Sequence, residues 1–580
     1  MIPIANRTIQ YNDSTMPTTK KSLKWPGPSG SLHGRYKRAA IATDNGICSE
    51  IGRDILMLGG NAIDATIAAL ICIGVVNPQS SGLGGGFLMT IYNSTTNQCI
   101  VVNARETASA KANETMFNNS PEDALIGYRA IATPSELHGL WTVFSRFGSG
   151  KVSWQRLFQP SIRLALEGFP ISTALAEVLI ELEANILAEP SLKKIFVDPK
   201  TDKIYKEGDV ITRDHLGVTL QNIANSSDPL QLFYRGGIAQ TIAAEIEERG
   251  GYVSLDDLRN YETKIDEVPI ITKNFLGNYV MCGPPPPSSA AVTQSIISTV
   301  AEFYDGKDGF DRDDPLTYHR LIEAEKFGYA QRTKLGDAAF VPEAQKLAEE
   351  MIQKSYVKHI SSLIKDKAQS LDAYASDLYQ QPEDHGTSHV STIDRDNNAV
   401  SCTSTINRLL GSLRISPTLG IVWNNQMDDF SIPVRPNSFG FVPSPANYIQ
   451  PGKRPLSSMS PMVIYDKNTE KVKMVVGASG GSIIISAVAQ TVIRSLIFNA
   501  TIKEAIDAPR FHNQFLPPTT SYESSIPKEI IMNLSDQRNQ NMTVKQKLKS
   551  VVQALMVNED GHIYGNSDFR RETASYPAGF

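Results

Sequence analysis

Thr387 stands in the segment of the sequence that most strongly suggests covalent chemistry. It follows Gly386 within Asp384-His385-Gly386-Thr387-Ser388-His389, and strand-like sequence comes directly afterwards. Because a glycine peptide is sterically open, the Thr387 hydroxyl can attack the preceding carbonyl, and an N→O acyl shift then cuts the chain. The new α-amine has an intrinsic pKa of about 8 and can take the proton of its own hydroxyl. The pattern predicts an N-terminal threonine nucleophile, and the alternative is a turn that starts a strand.

A glycine-rich segment, Gly477-Ala478-Ser479-Gly480-Gly481, offers a second set of catalytic groups. It matches G-x-S-x-G between a predicted strand and a predicted helix, which is the setting of a serine nucleophile elbow. Ser479 would then be the nucleophile of an α/β-hydrolase, with Asp507 and His512 as partners. Alternatively, the N–H groups of its successive glycines could bind an oxyanion at the helix start. A tight turn without chemistry is the third interpretation.

Three further polar groups have the chemistry to bind charged atoms. Arg105 lies at a predicted strand end and can hold a carboxylate through two parallel hydrogen bonds. Asp428-Asp429 follow Asn424-Asn425-Gln426 and form a cluster suited to an ammonium group, while Ser457-Ser458 supply hydroxyl donors. Taken alone, each group is more typical of a surface residue, a loop or a turn.

The sequence does not indicate metal or phosphate binding. His385 and His389 are four residues apart, but Gly386 stands where an HExxH helix needs glutamate. Residues 82–86 and 147–151 are glycine-rich without the register of a phosphate-binding loop, so we interpret them as tight turns or close packing. We therefore expect no metal site and no cofactor.

The predicted elements that must position these residues change character along the chain. A strand at residues 39–43, a buried helix at 62–75 and a hairpin at 87–102 come first, and residues 135–380 are mostly helical by hydrophobic period. After residue 385, segments rich in β-branched residues predict strands, and two helices are also predicted. These strands are residues 390–393, 399–405, 420–423 and 472–476, and the helices are residues 487–498 and 545–557. Both parts would share one layered α/β core.

Composition and charge limit the class of protein. The chain has 580 residues, 41% hydrophobic and 20% charged, so it can bury a large core and is neither disordered nor fibrous. Its 56 Lys and Arg against 61 Asp and Glu give a net charge of −5, which argues against nucleic-acid binding. No apolar stretch reaches the roughly 18 residues of a membrane helix. Residues 1–36 are rich in Ser, Thr, Pro, Gly and Lys and predict a flexible leader or stalk.

Sequons and cysteines bear on the cellular compartment. Nine N-x-[ST] sequons favour a targeting segment that lies upstream of this sequence. The five cysteines are widely spaced and form neither a disulfide framework nor a CxxC metal site, so one pair plus three buried thiols is predicted. The sequons are at Asn6, Asn12, Asn93, Asn113, Asn118, Asn225, Asn499, Asn533 and Asn541.

Seven segments together resemble the γ-glutamyltranspeptidases, a family of N-terminal nucleophile hydrolases. The resemblance runs from about residue 38 to residue 580, and residues 51–54 and 158–162 are most similar to the animal membrane-bound members. The segments, in family order, are Asn103-Ala104-Arg105-Glu106-Thr107, Gly386-Thr387-Ser388-His389, Thr403-Ser404-Thr405-Ile406-Asn407, Asn424-Asn425-Gln426-Met427-Asp428-Asp429-Phe430, Pro443-Ser444-Pro445-Ala446-Asn447, Pro455-Leu456-Ser457-Ser458-Met459 and Gly480-Gly481.

The resemblance implies a self-processing γ-glutamyltransferase and glutathione hydrolase. A cut between Gly386 and Thr387 would divide the chain that follows the leader, residues 1–36, into two subunits. The large subunit would be residues 37–386 and the small subunit residues 387–580. Thr387 would attack the γ-glutamyl amide of glutathione or a conjugate. The acyl group would then pass to water, an amino acid or a dipeptide.

The resemblance also assigns the supporting residues. Thr405 would support both self-cleavage and catalysis, and the N–H groups of Gly480 and Gly481 would form the oxyanion hole. Gln426 stands where mammalian members commonly have Glu, so its attraction for an ammonium is weaker. The α-carboxylate would be held by Arg105, Ser457 and Ser458, and the α-amine by Asp429, Gln426 and Asn407.

The implied fold is α/β (α+β), a four-layer αββα sandwich in which both subunits interleave in one structural domain as a heterodimer. Cys48 and Cys72 match a disulfide position of the animal enzymes, whereas residues 191–195 lack the cysteines of the second one. Residues 430–453 would form a lid over the site. The location would be extracellular or cell-surface, with an N-terminal membrane anchor upstream of this sequence.

Two alternatives to this hypothesis remain open at the level of sequence. One is an uncut serine hydrolase that uses Ser479. The other is a catalytically inactive secreted homologue that serves as a binding surface.

Overall fold

The computed structural model describes residues 23–265, 267–304, 311–380, 386–433 and 442–580. Its strands are β1 His33–Tyr36, β2 Ala40–Thr43, β3 Gly86–Asn93, β4 Gln98–Ala104, β5 Phe169–Pro170, β6 Val197–Asp198, β7 Lys203–Ile204, β8 Val210–Ile211, β9 Ile270–Phe275, β10 Tyr279–Gly283, β11 Tyr379–Gln380, β12 Ser388–Ile393, β13 Ala399–Thr405, β14 Val442–Pro443, β15 Met462–Asp466, β16 Lys471–Ser479, β17 Phe511–His512, β18 Thr520–Glu523, β19 Met542–Lys545, β20 Val551–Val557, β21 Ile563–Ser567 and β22 Ala578–Gly579.

Along the sequence, the α-helices are distributed between the strands. They are α1 Gly46–Met57, α2 Ala62–Val76, α3 Glu136–Phe147, α4 Trp154–Glu167, α5 Thr173–Glu181, α6 Glu183–Ala188, α7 Pro190–Phe196, α8 Asp214–Asn225, α9 Gly237–Glu247, α10 Leu255–Asn260, α11 Ala290–Tyr304, α12 Pro315–Arg332, α13 Pro342–Met351, α14 Lys354–Leu363, α15 Ile483–Val492, α16 Ile502–Asp507 and α17 Lys528–Met532. None of the helices in the described ranges combines the length and hydrophobicity needed to span a bilayer.

Two antiparallel sheets occupy the centre of the described structure. One has the strand order β1-β21-β20-β16-β15-β10-β9, and the other has the order β22-β2-β12-β13-β3-β4. The sheets pack face to face, since β12 contacts β16 and β20, and Tyr92, Val463 and Leu555 fill the space between them. Each sheet contains strands from both before and after residue 386.

Helices cover the outer face of each sheet. Helices α1 to α4 and α8 share a core with β3, β12 and β13, and helices α11, α12 and α15 share a second core with β10, β15 and β16. The layer order is therefore helix, sheet, sheet, helix. This confirms the four-layer αββα sandwich that the resemblance implied.

Helix α2 follows directly from its sequence. Asn61 and Asp64 form a capping box at its start, and the helix is apolar nearly all round. The sequence predicted a buried helix here, and every residue of α2 except Gly74 is buried. It lies against α1, α4 and β12, so it supports the strand that begins next to Thr387.

Three sequence predictions about elements are wrong. Residues 545–557 were predicted as one helix, because Leu548, Val552 and Leu555 have helical spacing, but β19 ends and β20 lies in this range. Strand β20 is a central strand buried on both faces, so it lacks the alternation that marks a strand. Residues 420–423 contribute only an isolated bridge from Val422, and residues 33–36 of the predicted flexible leader form β1 at a sheet edge.

Candidate active site

The strand register brings Thr387 and Thr405 together. Strands β12 and β13 pair with Ser388 opposite Ser404, so Thr387 lies at the start of one strand and Thr405 at the end of its neighbour. The Thr387 hydroxyl lies 2.5 Å from the Gly386 carbonyl oxygen and 3.3 Å from the Thr405 hydroxyl. Thr405 donates a 2.7 Å hydrogen bond to the same carbonyl. The Thr387 hydroxyl therefore lies beside a carbonyl that the Thr405 hydroxyl polarises.

Gly386 is required by its conformation and its surroundings. Its φ is +75°, in the left-handed region that favours glycine. A Cβ there would lie 2.8 Å from the Asn407 carbonyl oxygen and 2.9 Å from the Arg408 carbonyl carbon. Because Gly386 has no side chain, the backbone of Asn407 and Arg408 can pack closely against it.

The glycines of residues 82–86 pack against the backbone at the end of β13 and at Val422. A Cβ on Gly85 would lie 2.0 Å from the Thr405 carbonyl oxygen, and one on Gly84 would lie 2.0 Å from that of Val422. Only glycine allows the backbones to approach so closely. This confirms the interpretation of the segment as close packing.

Arg571 connects Thr387 to Ser479, the residue before Gly480 and Gly481. Gly480 and Gly481 have φ values of +120° and +62°, and they lie between β16 and α15. The Arg571 Nη2 atom lies 3.3 Å from Ser479 Oγ, 3.4 Å from the Thr387 carbonyl oxygen and 3.2 Å from Asp44 Oδ2. The predicted oxyanion loop and the predicted nucleophile therefore share one guanidinium.

The predicted partners of Ser479 do not reach it. His512 Nδ1 lies 2.8 Å from Ser486 Oγ, and its Nε2 lies 3.2 Å from Gln514 Oε1. Burial lowers the pKa of His512 to about 4, so its ring is neutral at physiological pH. Asp507 accepts hydrogen bonds from Ser29 and Lys503 instead. In the part of the chain that the structure describes, neither predicted partner therefore serves Ser479 as it would in a serine hydrolase.

Arg105, Asp429, Gln426 and Asn407 are buried, and we call this polar cluster the pocket. Asn407 joins it by donating a hydrogen bond to the carbonyl of Asn425, which precedes Gln426. Arg105 is fully buried and forms an ion pair with Asp429. Gln426 Nε2 donates a 2.6 Å hydrogen bond to the same Asp429 oxygen. The Asn407 amide N–H donates a 2.8 Å hydrogen bond to the Thr405 hydroxyl, which is also bound to the Gly386 carbonyl. The Thr405 hydroxyl therefore links this pocket to Thr387.

Three buried polar atoms of this pocket have no hydrogen-bond partner among the described residues. They are one donor, Arg105 Nη1, and two acceptors, Asn407 Oδ1 and Gln426 Oε1. Buried polar atoms usually have a hydrogen-bond partner, so these three atoms have the capacity to bind a ligand. A molecule that carries a carboxylate and an ammonium would satisfy the donor and both acceptors.

Ser457 and Ser458 lie next to Arg105. The carbonyls of Pro455 and Leu456, which precede the serines, accept hydrogen bonds from Arg105 at 3.3 and 3.4 Å. The Ser457 hydroxyl accepts from the Met459 N–H at 3.1 Å. This places both serines at the end of the pocket where Arg105 lies.

Glu106 and Glu136 are buried carboxyl groups that the sequence did not single out. Burial raises the pKa of Glu106 to about 7, although Arg105 beside it opposes the rise. Burial also raises the pKa of Glu136 to about 8; this residue accepts a 2.8 Å hydrogen bond from Ser404. No local pattern reveals such groups, because only tertiary contacts bury them.

The lid predicted at residues 430–453 lies partly outside the described residues, since 434–441 are not described. Its later part is anchored beside the pocket: Asn447 donates a 2.6 Å hydrogen bond to the Asp429 carbonyl, and Ser444 donates one of 2.5 Å to the Thr333 carbonyl. His385 also lies outside the described residues, and His389 is buried and bound to Thr403 at 2.8 Å. Among the described residues, no group of three or more His, Cys, Asp or Glu is arranged to hold a metal ion.

Two disulfides link parts of the chain that precede residue 386. Cys48 and Cys72 pair as the resemblance implied. Cys99 and Cys282 also pair and join β4 to β10, one strand from each central sheet. Cys402 is a buried free thiol. The prediction of one pair plus three thiols is therefore wrong, because a separation of 183 residues gives no local signal.

Comparison with known proteins agrees with this geometry. The crystal structure of a cephalosporin acylase from Bacillus halodurans superimposes with a TM-score of 0.81 at 22% identity, covering 97% of this chain and 99% of that one. Scoloptoxin SSD14 of Scolopendra dehaani is 39% identical over 94% of this chain and 93% of its own length. Glutathione hydrolase 2 of Arabidopsis thaliana is 39% identical over 84% of this chain and 82% of its own length.

A four-layer sandwich with a threonine at the start of a central strand defines an N-terminal nucleophile hydrolase. A family model described as Gamma-glutamyltranspeptidase matches residues 48–578. The chain belongs to the γ-glutamyltranspeptidase family, whose reactions are γ-glutamyl transfer and hydrolysis.

Proposed function

We propose that Thr387 is the catalytic nucleophile and that the precursor cuts itself between residues 386 and 387. The large subunit would be residues 37–386, the small subunit residues 387–580, and the two would remain together as a heterodimer. The observation that carries this proposal is the 2.5 Å distance from the Thr387 hydroxyl to the Gly386 carbonyl oxygen, with Thr405 donating to that carbonyl at 2.7 Å.

In self-cleavage, Thr387 Oγ1 attacks the Gly386 carbonyl carbon while Thr405 stabilises the developing oxyanion. The C–N bond breaks, the nitrogen of Thr387 takes a proton, and an ester joins Gly386 to Thr387. Water then hydrolyses the ester, which leaves a carboxylate on Gly386 and an amine on Thr387. The same threonine is afterwards both nucleophile and base.

In turnover, the Thr387 amine takes the hydroxyl proton and Oγ1 attacks the γ-carbonyl of the substrate. The N–H groups of Gly480 and Gly481 stabilise the oxyanion, and the amine passes the proton to the leaving amine. Water or the amine of an acceptor then attacks the γ-glutamyl ester and frees Thr387 Oγ1. Transfer and hydrolysis therefore differ only in the final nucleophile.

The substrate class follows from the pocket. Arg105, Ser457 and Ser458 hold the α-carboxylate, and Asp429, Gln426 and Asn407 hold the α-amine. Because the head group is fixed at both charges, the γ-amide is the bond presented to Thr387. Glutathione and its conjugates are the proposed donors, and amino acids or dipeptides are the proposed acceptors.

The proposed location is extracellular or at the cell surface. Two disulfides favour an oxidising compartment, and the sequons are compatible with a secretory route. Membrane anchoring through an upstream segment and kinship with the animal membrane-bound members stay predictions.

The proposal is tested by intact mass spectrometry combined with an activity assay. Purified protein should give two polypeptides, one that ends at Gly386 and one that begins at Thr387. Release of the chromogenic amine from a γ-glutamyl anilide should be stimulated by glycylglycine. Thr387→Ala should remain one inactive chain, whereas Ser479→Ala should still be cut. Active protein in which residues 386 and 387 are still joined would contradict the proposal.

A further inference from the structure

Residues 23–36 lie across the boundary between the two proposed subunits, and we call this segment the clasp. Its first part contacts helix α12, which precedes residue 386 in the chain. Its second part contacts helix α16 and strand β21, which follow that residue. Because the clasp runs directly into residue 37, it stays attached to the proposed large subunit after a cut. A segment that the sequence placed in a flexible leader therefore bridges both subunits.

Leu23 and Trp25 anchor the clasp beside the start of α12. The Leu23 N–H donates a 2.9 Å hydrogen bond to Asp313 Oδ2, and Trp25 Nε1 donates one of 2.7 Å to Asp313 Oδ1. The centroid of the Trp25 ring lies 5.4 Å from that of Tyr318. Leu23 and Trp25 also pack against a hydrophobic cluster that includes Tyr318 and, from the proposed small subunit, Phe511. This anchor therefore lies over a seam where the two subunits share apolar contacts.

A buried carboxylate of the proposed small subunit binds the middle of the clasp. Asp507 is the last residue of α16 and is 7% exposed. Its Oδ2 atom accepts hydrogen bonds from the Ser29 N–H at 2.9 Å and from the Ser29 hydroxyl at 2.8 Å. Lys503, one turn earlier, lies 2.9 Å from the same oxygen and donates a 2.8 Å hydrogen bond to the Ser31 carbonyl. Two charged groups of one helix thus hold the clasp, and bonds to charged groups are the stronger ones.

Strand β1 completes the clasp at the edge of a central sheet. It pairs antiparallel with β21, from His33 opposite Asn566 to Tyr36 opposite Ile563. The Tyr36 hydroxyl donates a 2.8 Å hydrogen bond to the Pro577 carbonyl. Since β1 is the edge strand, it covers β21 from the other subunit. The small subunit cannot leave this sheet until β1 has separated from β21.

The position of the clasp makes its opening part of the barrier to subunit separation. Contacts that are broken before the transition state of unfolding slow unfolding when they are present. In an uncut chain the same contacts are intramolecular, so their loss releases no fragment. The clasp therefore determines how long the two pieces stay together only in the processed protein.

We propose that residues 23–36 are an inter-subunit clasp, which slows release of the small subunit after the chain is cut. This inference rests on the proposed function, because it requires the cut between residues 386 and 387. The partner surface is formed by α16 and β21, and Asp507 is its charged contact. The two central sheets supply the rest of the interface, so loss of the clasp speeds separation and does not prevent assembly.

The test compares the rate at which cut wild-type and variant heterodimers lose the small subunit in mild urea, followed by native mass spectrometry. Asp507→Asn removes the charge that binds Ser29. It should speed release about 10- to 100-fold, the range for loss of a hydrogen bond to a charged group. Trp25→Ala removes the anchor at the other end and should also speed release. Trp25→Phe keeps a ring against Tyr318 and should recover part of the wild-type lifetime.

Glu504→Gln is the matched control, because it also replaces a carboxylate of α16 by an amide. Glu504 accepts hydrogen bonds from the N–H and the hydroxyl of Thr501, and both bonds lie within the small subunit. This variant should lower the melting temperature and leave the release rate unchanged. Ser29→Ala combined with Asp507→Asn adds a double-mutant cycle, since the effects of two contacting residues do not add. The double variant should therefore release the small subunit at nearly the rate of Asp507→Asn alone.

The outcomes separate this inference from the proposed function. If the wild-type protein is not cut, the proposed function fails. If it is cut, and both Asp507→Asn and Trp25→Ala release the small subunit at the wild-type rate, the clasp is wrong. Equal acceleration by Glu504→Gln would also overturn it, because a general weakening of α16 would produce that result. Should Asp507→Asn remain uncut, the comparison of Trp25→Ala with Trp25→Phe decides between the same two results.

Discussion

Replacement of Thr405 by valine tests the connection between the nucleophile and the pocket. Valine keeps the shape of threonine and removes the hydroxyl. That hydroxyl donates to the Gly386 carbonyl at 2.7 Å and accepts from the Asn407 N–H at 2.8 Å. The variant therefore loses a donor to the reacting carbonyl and leaves a buried N–H unpaired.

These two losses have separate magnitudes. Removal of one oxyanion donor costs about 10²- to 10³-fold in rate, or about 2.7–4 kcal/mol of barrier. An unpaired buried N–H costs about 1–3 kcal/mol of folding free energy. Thr405→Val should thus be folded, less stable than the wild type, and cut at least about a hundredfold more slowly.

The assay is a time course of self-cleavage followed on denaturing gels, with intact mass to identify the products. Thr403→Val is the matched control, because Thr403 lies two residues earlier on the same strand, is fully buried and binds His389 at 2.8 Å. It should lose stability and still be cut at a rate near that of the wild type. If Thr405→Val is cut as fast as the wild type, the proposed role of its hydroxyl is refuted.

Three further predictions concern the cleavage site, the pocket and the response to pH. Gly386→Ala should stay largely uncut by intact mass, because a side chain at φ +75° costs about 1–2 kcal/mol and its Cβ would lie 2.8 Å from the Asn407 carbonyl oxygen. Asp429→Asn should lower kcat/KM for a γ-glutamyl anilide at least about 30-fold, since breaking a buried charge pair costs about 2–5 kcal/mol and Asp429 lies closer to Arg105 than its other carboxylate neighbour, Glu106, does; unchanged kinetics would contradict the pocket assignment. Burial raises the pKa of Glu136 to about 8, so the stability associated with its neutral form is complete below the unfolded pKa of about 4.3 and is lost as pH rises through 8. Glu136→Gln should therefore gain melting temperature relative to the wild type between pH 6 and pH 9, and a constant difference over that range would refute the assignment.

The sequence predicted those parts of the site that lie on locally patterned elements. Strand β13 was predicted with its observed limits, residues 399–405, because three of its seven residues are β-branched. Thr387 was singled out since a glycine followed by a hydroxyl has its own chemistry. Without the family resemblance, Arg105 and Asp429 would have remained isolated charged residues, because 324 positions separate them.

The residues that sequence reasoning missed act through distant contacts. Arg571 reaches Thr387 across 184 positions. The prediction for residues 545–557 was wrong for a different reason. A local hydrophobic pattern is present there, but a strand buried on both faces and a buried helix can be equally rich in apolar residues.

The presence of strands from before and after residue 386 in each sheet would have a consequence for the stability of a chain cut at that point. In one sheet, β2 and β3 from the first part flank β12 and β13 from the second, and β22 near the C-terminus pairs with β2. While the chain is whole, refolding is a first-order process that does not depend on concentration. Once it is severed, the same native state can be regained only by an encounter of two molecules, neither of which holds a complete sheet. A cut enzyme would then persist because it unfolds slowly. Its recovery after denaturation would depend on protein concentration, whereas the recovery of the uncut precursor would not.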